Sequence, residues 1–172
     1  IDMGEAVLRV AELPGHTPGH VAYVWEEEKA AFVGDVILER ITPHVTIHNW
    51  GSNPLRDYLN SLERLAGMGL RIAYPGHRGD IADPAGRARE IIEHHKERLQ
   101  DIINILSREG ALSGYEIAKR VKWRVKYQSW DEYPYAERFF AMGEALAHLK
   151  YLEDEGRVEK TFRGGVTLWK LA

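Results

Sequence analysis

The chain has 172 residues, 44% hydrophobic and 28% charged, with a formal net charge of -3 and no cysteine. That makeup belongs to a folded globular protein; it excludes a disordered tail, a disulfide scaffold and thiolate metal sites, so any metal must be held by histidine and carboxylate. The 8 histidines keep that route open, and no run approaches the roughly 18 consecutive apolar residues of a membrane span.

The opening residues, IDMGEAVLRV, lack the basic-then-apolar layout of a signal peptide, and the expected compartment is cytoplasmic. AVLRV reads as a strand leading into ELPGHTPGH, a turn too rich in Gly and Pro to be helical. HVAYVWEEEKAAFVGD then reads as two strands, His20 to Trp25 and Ala30 to Val33, joined by a polar turn and ending at Gly34-Asp35. After an irregular stretch to Asn49, Asn53 is a capping residue and Pro54 the first helical position. Apolar residues at 55, 58, 59, 62 and 65 give this helix one buried face, and Gly67 and Gly69 end it. LRIAY is a short strand running into PGHRGDI. Asp83-Pro84 opens a long helix striped at 88, 91, 92, 99, 102, 103 and 106 that ends near Gly110.

The remainder reads as a second module. LSGYEIAKRV is a short capped helix, RFFAMGEALAHLKYLEDEG an amphipathic helix closed by Gly156, and RVEKTFRGGVTLWKLA alternates about Gly164-Gly165 as a hairpin does. Helix, helix and two-stranded wing is the winged-helix plan. Residues 1–109 carry 12 Lys+Arg against 17 Asp+Glu, and residues 110–172 carry 11 against 9, or -5 and +2. Two domains with that boundary, 1–109 and 110–172, are expected, in the α+β class.

PGHTPGH, FVGD and YPGH each stand at the C-terminal end of a predicted strand, where a sheet presents ligands in fixed geometry. In this order and spacing they resemble the second half of the metallo-β-lactamase superfamily. NPLRDYLNSLERL, YPGH and EHHKERL, followed by a winged helix, are similar to its glyoxalase-II-like hydrolases and the related lactamase-like endoribonucleases. The resemblance covers essentially the whole chain. It implies the C-terminal half of an αβ/βα sandwich. Within it His16 is a ligand of one divalent metal, Asp35 the catalytic carboxylate bridging two, and His77 a ligand of the second. Zinc is the expected metal, with manganese or iron as alternatives. The implied reaction is hydrolysis of a small-molecule acyl substrate, a thioester or lactone, by a hydroxide that the two metals share. In the antibiotic-degrading members a Cys serves one metal, so antibiotic hydrolysis is not the expected activity here.

The family's HxHxDH motif occurs nowhere in these residues. The expectation is a fragment, inactive alone, whose uncovered apolar surface drives homo-oligomerisation. His20 is expected beside the ligands without coordinating, and His44, in ITPHV, to reach the substrate. His94 and His95 lie on the long helix, His95 continuing its apolar stripe, and packing is expected of both. KRVKWRVKY sets Lys119, Arg120, Lys122, Arg124 and Lys126 among Val121, Trp123, Val125 and Tyr127. If that alternation forms a strand, the aromatics share a buried face and cannot stack bases. Two alternatives remain beside the acyl hydrolase: a metal-dependent endoribonuclease of single-stranded RNA, and a non-catalytic binding or assembly module.

Overall fold

The computed structural model describes residues 1–123 and 126–172; Arg124 and Val125, inside the basic run, lie outside the described residues. The chain is a mixed α+β protein of two compact units, one of Ile1–Val45 with Pro54–His94, the other of Thr46–Asn53 with His95–Ala172. No helix among the described residues is long and apolar enough to cross a membrane.

In the first unit, β1 (Leu8–Glu12), β2 (Val21–Trp25) and β3 (Ala30–Gly34) form an antiparallel meander, and β4 (Ile72–Pro75) pairs with β3 in parallel. A parallel step needs a crossover, which α1 (Pro54–Ala66) supplies. Its apolar stripe, Leu55, Tyr58, Leu62 and Leu65, is buried. The β1–β2 loop is fastened to this helix: Ser61 Oγ donates to the Pro14 carbonyl at 2.7 Å and Arg64 Nη1 to that of Glu12 at 3.0 Å. Gly15, at φ +134°, passes so near that a Cβ there would lie 2.3 Å from Tyr58 Cα. The histidine-bearing loop is stiff because glycine lets it lie directly on a helix.

Alternate residues of a strand face opposite ways. Ala11, Ala22, Val24, Ala31, Val33 and Ala73 are buried on one face of the sheet. On the other, the register aligns Val10, Tyr23, Phe32 and Tyr74 in one row across all four strands. Val10 is 48%, Tyr23 37% and Phe32 47% exposed. An aromatic row in the middle of a sheet face is surface that a soluble protein rarely leaves to water.

The long helix α2 (Pro84–Glu109) begins in the first unit and continues into the second, the division falling between His94 and His95. In the second unit, β5 (Leu112–Ser113), β6 (Val158–Arg163) and β7 (Val166–Leu171) form a sheet in the order β5-β7-β6. Ser113 caps α3 (Gly114–Arg120) through a reciprocal box with Glu116. Hydrogen bonds from Ser113 hold the Glu116 carboxyl below its usual range. Gly164 and Gly165 both have positive φ, as a two-residue hairpin turn demands.

Two features depart from the sequence expectation. α4 (Tyr135–Asp154) is less simply amphipathic than its pattern suggested: it buries Ala145, Ala147, His148, Leu149 and Leu152 but exposes Tyr135, Phe139 and Phe140 at its start. Lys119 and Arg120 close α3, with Val121 as its C-cap, so no strand alternation runs through that part of the basic segment. Trp123 is half-buried against Ala118, Trp130, Ala141 and Ala145. Its indole N–H donates to the Ala118 carbonyl at 2.7 Å, and the Arg98 guanidinium lies 4.2 Å from its ring centroid.

Candidate metal centre

The first unit brings His16, Asp35 and His77 together from three loops that each follow a strand. Asp35 leaves β3 through a register irregularity between Phe32 and Gly34, with Gly34 at φ +51°. A Cβ on Gly34 would stand 2.8 Å from His20 Nε2. The Gly76 N–H donates to the Gly34 carbonyl at 2.8 Å, tying the loop of His77 to that of Asp35.

Both histidines address the same oxygen. His77 Nε2 lies 3.4 Å and His16 Nε2 3.9 Å from Asp35 Oδ2. His16 Nδ1 is 2.7 Å from the His44 carbonyl. A carbonyl only accepts, so Nδ1 carries the proton and the Nε2 lone pair of the neutral ring points at Asp35. His44 thus contributes its backbone to the site by orienting His16. His20 meets the backbone of Asp35, its Nε2 accepting from the Asp35 N–H at 3.1 Å. Burial, then the neighbouring His16, lowers the His20 pKa, and Asp35 opposes them. A neutral His20 with an accepting Nε2 is the state this contact requires.

The donor set suits a divalent cation. Two ligands of one tetrahedral metal lie about 3.3 Å apart, close to the His77–Asp35 separation. Asp35 Oδ1 is buried and has no hydrogen-bond partner. Leaving a buried carboxylate oxygen bare is costly, and a cation satisfies it. Gly76 leaves that oxygen uncrowded, since a Cβ there would lie 2.9 Å from Oδ1.

The second unit holds another group of donors within reach of one another, His95, Glu144 and His148. Here the chemistry points away from metal. His148 Nδ1 meets the Glu144 carbonyl at 2.7 Å, and its Nε2 faces His95 Nδ1 at 3.1 Å. The carbonyl fixes the first proton on Nδ1, so in the neutral pair His148 Nε2 accepts and His95 Nδ1 donates. Arg98 Nη1 donates to Glu144 Oε1 at 2.6 Å. One cation, one anion and two neutral imidazoles already balance, and a dication would add two positive charges beside buried Arg98. Burial raises the Glu144 pKa and Arg98 opposes the shift. His95 packs, as its place in the stripe suggested, but as a member of a polar network.

Residues 1–77 match the family model described as the metallo-beta-lactamase superfamily, and residues 135–170 that of the metallo-beta-lactamase-like C-terminal domain. A beta-lactamase-like protein 2 homolog of Caenorhabditis elegans is 30% identical over 155 residues, 90% of this chain and 47% of the relative. An atrochrysone carboxyl ACP thioesterase of Aspergillus fumigatus is 26% identical over 95% of this chain and 51% of its own length. The crystal structure of a metallo-beta-lactamase family protein from Thermus thermophilus superposes with a TM-score of 0.82 at 35% identity, covering 100% of this chain and 52% of that one. The chain spans about half the length of these relatives.

Proposed function

The chain carries metallo-beta-lactamase superfamily sequence over residues 1–77 and that of the associated C-terminal domain over 135–170, and from this premise we propose that it supplies one half of the metal site of an acyl hydrolase. The observation that carries the reading is Asp35, whose Oδ2 faces two imidazole Nε2 atoms while Oδ1 is buried and bare. His16, Asp35 and His77 would hold divalent metal there, in a binuclear centre for which zinc is the first candidate. Bound there, the metal supplies an activated water and a Lewis acid for a developing oxyanion.

The residues of this chain do the positioning. The His44 carbonyl keeps the His16 Nε2 lone pair aimed inward, His20 anchors the Asp35 backbone, and Gly76 leaves Oδ1 uncrowded. The relative named as an acyl carrier protein thioesterase favours a thioester as the substrate class. The helix–helix–hairpin order with a three-stranded sheet supports a winged-helix reading of residues 110–172, which completes the hydrolase rather than grips RNA. Stacking of bases on the basic run would need an open face on its Trp123, and that ring is engaged by Arg98 and its N–H by the Ala118 carbonyl.

Two variants, made in a polypeptide extended to the relatives' full length, test the assignment. Asp35→Ala should release metal from the site and abolish turnover. His20→Ala should retain most metal and lose roughly ten- to a hundredfold in activity, the usual effect of a group that orients a ligand. Elemental analysis of both proteins reads this directly. Equal metal loss would place His20 among the ligands, and full occupancy in Asp35→Ala would defeat the reading.

A further inference from the structure

The second unit contains a cavity of about 530 Å³ that the proposed hydrolysis does not use. We propose that it is a binding site for a small flat aromatic carboxylate. The inference goes beyond the metal-centre reading and does not depend on it.

The cavity falls within the roughly 300–1,000 Å³ typical of small-molecule sites. Met142 and Leu146, one turn apart on α4, form an apolar wall. Trp50 and Trp169 form another, with ring centroids 5.7 Å apart and planes inclined by 40°. Trp169 is fully buried and serves as the floor, whereas Trp50 is 38% exposed at the opening. Such walls favour a flat apolar body over a polar one.

The charge decides the head group. Among the described residues lining the cavity, Lys160 alone is charged. Its ammonium stands 5.0 Å from the Trp50 ring centroid and 5.8 Å from that of Trp169. The ring faces attract it there, so the cation is held at the cavity instead of ranging through solvent. Glu153 Oε1 lies 3.1 Å from Lys160 Nζ. An ammonium has three donors and Glu153 takes one, which leaves capacity for a ligand carboxylate. A ligand with its ring against Met142, Leu146 and Trp50 and its carboxylate on Lys160 satisfies both the walls and the charge.

The probe is 2-naphthoate, with 2-naphthalenemethanol as the uncharged control, titrated into the 172-residue chain and followed by calorimetry and by methionine methyl resonances. The chain has 3 methionines, so Met142 reports the cavity while Met3 and Met68 serve as internal references. Naphthoate should shift the Met142 methyl at millimolar concentration or below and leave the other two in place. Losing one charge-assisted contact costs about tenfold in affinity. The alcohol should therefore bind roughly tenfold more weakly than the acid, and Lys160→Met should erase the difference. Lys160→Arg, which keeps the charge, should preserve it. The proposal fails if acid and alcohol bind equally to the unaltered chain, if Lys160→Met keeps the preference for the acid, or if Met142 does not move.

Discussion

Supplied with zinc and a thioester, the 172-residue chain will hydrolyse no faster than zinc in buffer, whereas the same residues within a polypeptide of the relatives' full length will turn the substrate over. The expected gap is about a millionfold or more, the lower range of enzymatic acceleration. His16, Asp35 and His77 give each metal only one or two protein ligands, and the remaining positions fall to water, so occupancy is weak. The sheet tells the same story on a different scale. The row Val10, Tyr23, Phe32 and Tyr74 faces outward, while the opposite face is buried under its own unit, and a second apolar layer is what such a row packs against. The chain alone should accordingly associate, as a dimer or larger, and the extended polypeptide should not do so through this face. Zinc-dependent turnover by the short chain, free of contaminating enzyme, would overturn the half-site reading. A monodisperse monomer at high concentration would show that the row is tolerated in water.

The elements themselves were largely readable in the sequence because each is punctuated. Pro54 and Pro84 open helices, Gly67, Gly110 and Gly156 close them, and Gly164-Gly165 fixes a hairpin. The loops of His16 and His77 were readable as Pro-Gly turns after short apolar strands, and that of Asp35 as the Gly34-Asp35 end of a strand. What the sequence could not supply was pairing at a distance. Nothing local distinguishes the His44 carbonyl, which orients His16 across 28 positions. The pattern marked the His44 ring alone, as a substrate contact. The network of His95, Arg98, Glu144 and His148 was missed likewise: spacings of three and four put each pair on one helix face, but only the packing of α2 beside α4 joins them. Alternation at Lys119 and Arg120 could not by itself tell strand from helix; the Ser113–Glu116 cap starts a helix that carries through Arg120.

That network carries the largest expected effect on stability. Arg98 and Glu144 have 5% and 13% of their side chains exposed and meet at 2.6 Å. Arg98→Met keeps much of the apolar stem but strands the carboxyl, and removing one partner of a buried pair costs about 3–5 kcal/mol. It also strips the cation from the Trp123 ring. Glu144 already has its pKa raised by burial, with Arg98 opposing, so in the variant the folded chain holds a proton that the unfolded chain releases above its ordinary value of 4.5. The unfolded state then binds fewer protons, and stability falls as pH rises through that value. The deficit of Arg98→Met against the parent chain should therefore be largest near neutral pH and shrink toward pH 4.5. Adding Glu144→Gln to Arg98→Met should recover part of the loss at neutral pH, because the double variant has no charge left to strand. Urea unfolding of the three proteins at neutral and acid pH measures this. A neutral-pH loss below about 1 kcal/mol, the level of an exposed pair, would mean that water reaches Glu144 and that the ion pair does not hold α2 to α4.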